Sequence, residues 1–318
     1  QAAEPADADG VFRGGIELIN VSATVTDARG RFVDGLTRDD FLVYEDGEAV
    51  EITQFDNERV PVSLGIALDT SGSMDGRKME AARHALDRFL YDLLGPDDEF
   101  FLYRFDYTPV LLQDWTTSPD RLSRAIRDIR PRGGTALYDA VAESVPRVAE
   151  GRHRKTALLI ISDGNDTNSE TDDRDLRALI RETEALVYAI GIDARERRRI
   201  GIFGGPLRPG LPGTPLPIPG GRRRPPRAGT PFQRLQEERV NVGALRDLTD
   251  DSGGRTEVVR DTDDLDPATA GIARELSRQY QLAYPALHAG DGRWHGIRVE
   301  VRNPDYRVRA RRGYLAAP

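Results

Sequence analysis

Apolar residues along this chain follow two different periods, and the change between them divides it. From 16 to 55 they alternate with polar ones, as in Val21, Ala23 and Val25, then Val43, then Val50 and Ile52, with turn signals at DARG (27–30) and EDGE (45–48). A period of two belongs to a half-buried strand, so three β-strands are expected here. From 62 to 280 short continuous apolar runs take over: VSLGIALD (62–69), EFFLYRFD (99–106), PVLLQDW (109–115), TALLIISD (156–163), LVYAIGID (186–193) and RTEVVR (255–260). Such runs fit strands covered on both faces. The stretches between them are amphipathic: in the first, Met79, Ala82, Leu86, Phe89, Leu90 and Leu93 share one face, with Arg83, Asp87 and Asp92 opposite. Further helices are predicted near 119–130, 136–149, 172–185, 240–249 and 266–280. Buried strands alternating with helices predict an α/β fold, a doubly wound, mostly parallel six-stranded sheet with helices on both faces.

After 280 the period of two returns, with Ile297, Val299 and Val301 against Arg298, Glu300 and Arg302, and with Tyr306 and Val308 against Arg307 and Arg309. Two or three strands with one apolar face need a partner to bury it. The two β segments are therefore expected to pair into one small β-sandwich-like domain, with the α/β domain inserted between them. The expected boundaries are 16–58 and 281–318 for the β segments, 60–280 for the α/β domain, and 1–15 for a flexible leading segment. Residues 201–231 hold 9 Pro and 8 Gly, with Arg222, Arg223, Arg224 and Arg227 close together, and predict a disordered insertion over 197–236. A tolerated insertion and a specificity loop are both open readings of it.

Composition narrows the function classes. A net charge of −8 over 318 residues disfavours a general phosphate-backbone binder, so no nucleic-acid partner is expected. No apolar run is long enough for a membrane span. Without cysteine, thiol catalysis, Cys-ligated zinc and disulfides are excluded. Lys78 and Lys155 are the only lysines among 45 basic residues. The opening QAAEPADADG has the soft composition that follows a removed export signal, which points to an extracytoplasmic location, secreted, periplasmic or at the cell surface.

Candidate chemistry gathers at the carboxyl ends of the predicted strands, the edge where open α/β sheets bind ligands. The first buried run leads into Asp69, Thr70, Ser71, Gly72 and Ser73. A carboxylate and two hydroxyls at i, i+2 and i+4 on a loop can converge, and their oxygens suit a hard divalent cation. Helix capping is the ordinary alternative for a serine-rich turn. Arg-Gly-Gly-Thr (132–135) then places Thr135 before another helix, and Ile-Ser-Asp-Gly (161–164) places Asp163 at the end of a long strand.

Together, Asp69, Ser71 and Ser73 in a DxSxS motif, then Thr135, then Asp163, resemble the metal-ion-dependent adhesion site of von Willebrand factor A domains, with all five positions intact. The resemblance covers about 62–280. The flanking GLTRDDFLVYEDGEAVEITQF and YRVRARRGY further resemble bacterial, acidobacterial-type VWFA-related domain proteins. In that family the resemblance implies direct metal ligation by Ser71 and Ser73, with Thr135, Asp69 and Asp163 acting directly or through water. It implies Mg²⁺, or Mn²⁺ or Ca²⁺, and a protein partner that presents an Asp or Glu to the ion. A divalent-cation-dependent binding or adhesion module is thus the expected function, and no enzyme. A metal-dependent hydrolase and a structural domain with no ligand are the alternatives.

Other carboxylates are expected to be structural: Asp139 as a helix residue bonding neighbouring loops, Asp166 and Asp172 as solvated loop charges. Among enzyme classes, Asp-Thr-Ser-Gly departs from the aspartic protease spacing, and His84, His153, His288 and His295 sit in no nucleophile or base context. There is no phosphate-binding GxxxxGK[ST] and no GxGxxG after a strand. If the two ends pair, deleting either 16–55 or 281–315 should strand an apolar face, and soluble yield of the remaining chain should fall sharply. Full solubility of both truncated chains would refute the pairing.

Overall fold

The computed structural model describes residues 17–93, 95–163, 165–193 and 240–316; the expected leading segment 1–15 and insertion 197–236 lie outside these. Six strands form the central sheet: β5 (Val62–Asp69), β6 (Glu99–Phe105), β7 (Pro109–Thr116), β8 (Lys155–Ser162), β9 (Leu186–Ile192) and β10 (Thr256–Val259). Their order is β10-β9-β8-β5-β6-β7, all neighbours parallel except β6 and β7. The chain leaves β5 for β6 on one side and later returns to β8 on the other, so the direction of winding reverses at β5.

Every residue of β5 is buried, which is why its sequence reads as a continuous apolar run. Its two faces pack differently. Leu64, Ile66 and Leu68 join the core made with α1 (Arg77–Arg88), α2 (Pro119–Arg127) and α6 (Leu265–Ser277). Ala67 joins the opposite core, made with α3 (Leu137–Ala149), α4 (Asp173–Glu182) and α5 (Val242–Thr249). Gly65 lies on that second face because a Cβ there would sit 2.5 Å from the Phe101 ring and 2.8 Å from Val148. The helical run expected to continue to Leu93 ends as α-helix at Arg88 and closes with a π turn, Phe89–Leu93.

The remaining strands are β1 (Leu18–Thr26), β2 (Phe41–Glu45), β3 (Glu48–Val50), β4 (Gln54–Asp56), β11 (Tyr280–Pro285), β12 (Trp294–Val301), β13 (Arg307–Arg309) and β14 (Gly313–Leu315). They form two antiparallel sheets, and each mixes both ends of the chain. One has the order β13-β1-β11-β4, the other β14-β12-β2-β3. The amino-terminal segment holds four strands rather than three. The extra one, β4, is a three-residue Gln-Phe-Asp with only Phe55 turned inward, too short for a period to show. Val21, Ala23 and Val25 meet Phe41, Val43, Tyr280, Leu282 and Ile297 in one shared core. The rings of Phe41 and Tyr280 lie 5.0 Å apart, one from each end of the chain.

The sandwich and the α/β sheet are joined by buried polar groups. Glu275, on α6 and 1% exposed, accepts hydrogen bonds from Thr24 of β1 (3.3 Å), Tyr188 of β9 (2.9 Å), Arg255 (2.7 Å) and Arg309 of β13. Nearby, Lys155 is buried and donates to the Leu276 carbonyl. Burial pulls the Lys155 ammonium down to about 7, against the attraction of Glu275. The native state thus gives up this proton well before the unfolded chain does, so the unfolded state binds more protons above that point and stability rises with pH. Chemical denaturation should show stability increasing from pH 7 until unfolded-state tyrosines begin to ionise near 10. Lys155→Met should raise stability at pH 7 and flatten that rise; an unchanged slope would mean that Lys155 is charged in the fold.

Candidate functional site

The reversal of winding leaves a crevice at the carboxyl ends of β5 and β8, and the loops that follow these strands fill it. β5 ends at Asp69, which is fully buried. Its Oδ1 accepts from the Ser71 N–H at 2.8 Å and its Oδ2 from the Ser162 hydroxyl at 2.5 Å, so one carboxylate oxygen is held by the turn after β5 and the other by the last residue of β8. The chain then turns through a 3₁₀ segment, Gly72–Met74, before α1 begins after Gly76. Ser71 makes no capping bond there; its hydroxyl instead lies 3.0 Å from that of Ser73. Ser71 is buried and Ser73 exposed, so the hydroxyl pair runs from the interior to solvent.

The loop before α3 is laced onto this turn by backbone bonds. Arg132 N–H donates to the Thr70 carbonyl at 2.8 Å and Gly72 N–H to the Gly133 carbonyl at 3.1 Å. Gly133 has φ +78° and carries the Tyr107 ring, which a Cβ would meet at 2.5 Å. Two residues on, Thr135 is buried, its N–H bonded to the Thr167 hydroxyl and its carbonyl to the N–H groups of Thr167 and Asn168. Asp163 follows β8, is 5% exposed, and pairs with Lys78 of α1, whose Nζ lies 3.3 Å from its Oδ2.

Direct contacts thus link Asp69 with Ser71 and Ser71 with Ser73, and backbone bonds tie the Thr135 loop to the same turn. Asp163 is close enough to Asp69 for their charges to interact. Burial first, and then the Asp163 charge, push the Asp69 carboxyl up to about 7, in spite of the hydrogen bonds from Ser162 and Ser71. Among the described residues no arginine or lysine forms an ion pair with Asp69. Buried carboxylate oxygens beside neutral hydroxyls are donors that suit a hard cation, and with Lys78 on Asp163 one ammonium faces two carboxylates, so the residues fit a divalent metal.

Other carboxylates take defined roles. Asp139 accepts from the N–H groups of Glu170 and Thr171, the helix-to-loop bonding expected of it. Asp166 is no solvated charge: its Oδ1 accepts from Leu137 N–H at 2.8 Å and from the Ser169 hydroxyl, which fastens the first turn of α3. Asp172 is likewise bonded rather than free, capping α4 through the N–H groups of Arg174 and Asp175. In both cases backbone N–H groups that a helix start leaves open supply the partner, which a count of acidic residues does not register.

Three neighbours escaped the sequence reading. Lys78 supplies the one ammonium at the site. Asp106, at the end of β6, is held by Arg104 at 2.8 Å and Arg132 at 3.4 Å, and its carbonyl receives the Ala136 N–H. Tyr107, 59% exposed, stands beside Gly133. A signal for Asp106 was present, since VSLGIALD, EFFLYRFD, TALLIISD and LVYAIGID each end in aspartate at the same edge of the sheet.

Residues 64–165 match the family model of the von Willebrand factor type A domain. The chain is 28% identical over 119 residues to an uncharacterized protein of Synechocystis, an overlap that covers 36% of this chain and 28% of that protein. It is 27% identical over 135 residues to inter-alpha-trypsin inhibitor heavy chain H4 of Bos taurus, covering 39% of this chain and 15% of that one. The chain therefore spans less than a third of the length of these curated relatives. A von Willebrand factor type A structure from Catenulispora acidiphila aligns with a TM-score of 0.48 and 14% identity, over 96% of this chain and 75% of the other.

The raised Asp69 gives a test that needs no ligand. Its carboxyl keeps a proton in the fold that the unfolded chain loses near 3.8, so the stability it contributes is complete below that value and is lost as pH rises through about 7. In chelator, Asp69→Asn should therefore gain on the native chain between pH 4 and 7.5. The gain should be on the order of 2–4 kcal/mol, since each tenfold change in proton affinity is worth about 1.4 kcal/mol. Parallel stability curves for the two proteins would show that Asp69 is not strained by its surroundings.

Proposed function

We propose that this chain, whose residues 64–165 form a von Willebrand factor type A domain, is a divalent-cation-dependent protein-binding module. The observation that carries the proposal is the pairing of two buried carboxylates, Asp69 and Asp163, with the Ser71 and Ser73 hydroxyls at the carboxyl edge of the sheet. Asp69, Ser71, Ser73, Thr135 and Asp163 would hold Mg²⁺, or Mn²⁺ or Ca²⁺. When bound, the ion offers a Lewis-acid position toward solvent, to which an Asp or Glu of a partner protein is the complementary donor.

This chain's residues shape that position. Ser162 and the Ser71 N–H hold the Asp69 carboxylate in place, and Lys78 holds Asp163. Three neutral hydroxyls dominate the donor set, so an ion here keeps a large part of its positive field for an incoming carboxylate. Arg132, with its side chain 74% exposed, and the exposed Tyr107 flank the loop and give a partner a cation and an aromatic face to rest on. Binding rather than catalysis follows from the same chemistry. Water activation by a metal is usually served by several imidazole or carboxylate ligands. The four histidines make their contacts elsewhere, His84 with Asp266, His153 with Asp97, His288 with Glu45, and His295 with Asp46 and Asp291.

Thermal and chemical melts of the full chain in Mg²⁺, Mn²⁺, Ca²⁺ and EDTA test the metal. An ion at about 100-fold its Kd should add roughly 2.7 kcal/mol, and Asp69→Ala should abolish the increment. Immobilised protein should release captured acidic partners on chelation, as Asp69→Ala protein should fail to capture them. Melts that ignore every cation up to high concentration would refute the site, and capture that survives EDTA would refute the mode of binding.

A further inference from the structure

A second group of metal-binding side chains lies at one end of the sandwich, remote in sequence from the five residues above. Glu45 closes β2 and is fully buried. Its Oε1 accepts from the Tyr314 hydroxyl at 3.0 Å and the Leu287 N–H at 3.1 Å, and lies 3.1 Å from His288 Nδ1. Its Oε2 is buried and receives no hydrogen bond of normal length, although the Tyr284 hydroxyl, itself without one, interacts with this carboxylate. Among the described residues its ion-pair partner is His288 alone, with no arginine or lysine. A buried carboxylate left in this state is costly unless a cation joins it.

Two imidazoles stand beside it. His295 of β12 is 4% exposed, with Nδ1 2.8 Å from Asp46 Oδ2 and Nε2 3.0 Å from Asp291 Oδ1. The His288 ring stacks on it, centroids 4.7 Å apart and planes within 2°. One donor atom from each of Glu45, His288 and His295 falls within 4.8 Å of the others.

We infer that Glu45, His288 and His295 form a site for a borderline transition cation of the Zn²⁺ class, separate from the hydroxyl-carboxylate site. Two imidazoles and a carboxylate are the donor set that such an ion selects, whereas Mg²⁺ and Ca²⁺ favour oxygen alone. Both nitrogens of His295 face carboxylates, so ligation costs one of these bonds: Nε2 releases its proton to solvent and its contact with Asp291 to take the ion, while Nδ1 keeps donating to Asp46, the carboxylate–histidine–metal arrangement that fixes tautomer and ring orientation. Parallel rings do not aim their lone pairs at one point. His288, its side chain 44% exposed on the turn between β11 and β12, is the ring that rotates to complete the site. The ion supplies positive charge to the buried Oε2, and it joins the β2–β3 turn to the β11–β12 turn across some 240 residues of intervening chain.

The test uses the full-length chain, with Zn²⁺ titrated against a competing chelator and Co²⁺ as a spectroscopic probe. Because Zn²⁺ can also enter the first site, each titration is repeated in Asp69→Ala. The expected result is one equivalent that survives Asp69→Ala and disappears in His288→Ala, with a visible Co²⁺ d–d band following the same pattern. His288→Ala also removes the ion-pair partner of buried Glu45, so the metal-free melt of this variant is recorded first and the comparison is of the increment that Zn²⁺ adds to each protein. Asp46→Asn retains an acceptor for the Gly296 N–H but gives His295 a weaker partner, and should lower Zn²⁺ affinity about 10- to 100-fold. Zn²⁺ binding equal in native and His288→Ala proteins, or wholly abolished by Asp69→Ala, would overturn the assignment. Loss of the Asp69-dependent equivalent alone would count against the first site and leave this one standing.

Discussion

The placement of Glu275 is the constraint on which the two halves of this molecule jointly depend. Its carboxylate is buried on α6, where an unpaired charge would cost several kcal/mol, and its neutralisation needs Arg255 from beside β10 and Arg309 from β13 at the same time. Thr24 and Tyr188 complete its shell from β1 and β9. One side chain thereby ties the last helix of the α/β domain to its sheet and to both ends of the chain. A shift of the sandwich across the domain would break several charge-assisted bonds together, so the relative position of the two parts is defined by polar geometry as well as by apolar contact.

Set beside Glu275, the other buried carboxylates sort by what neutralises them. Asp98 has Arg59, Asp106 has Arg104 and Arg132, and Asp163 has Lys78. Asp69 and Glu45 have no such permanent cation among the described residues. Both are fully buried, and both lie next to side chains with lone pairs to donate, hydroxyls in one case and imidazoles in the other. Charge balance thus singles out Asp69 and Glu45 among these buried acids, while Asp163 lies close enough to Asp69 to raise its carboxyl and yet keeps Lys78.

Much of the fold was legible in the chain because it depends on local pattern. VSLGIALD predicted a strand over 62–69 and β5 spans those residues, since a strand covered on both faces must be apolar at every position. The turn residues Asp69, Ser71 and Ser73 were visible for a related reason: they punctuate an apolar run with oxygen donors at fixed spacing. What stayed hidden depends on partners distant in sequence. β4 has one inward residue and exists because Leu282 pairs with Phe55. Asp166 looked like a loop charge because the helix start that it fastens lies 29 residues earlier. His288 and His295 looked inert singly and meet Glu45 only once β12 pairs with β2. Lys78 and Lys155 stand out in the sequence only as its two lysines, yet one is set against Asp163 and the other is buried under α6.

Because both ends of the chain enter the sandwich, the α/β domain is suspended from it as a loop. Mechanical tension applied at Leu18 and Leu315 would pass through the β1–β11, β1–β13 and β12–β14 ladders before it reached any residue of the central sheet. A bond formed at Ser71 and Ser73 is loaded differently, since force then enters at the carboxyl edge of β5 and leaves through α6 and β11. The same sandwich would thus shield the α/β domain from stretching of its own chain, yet transmit a pull applied at that edge.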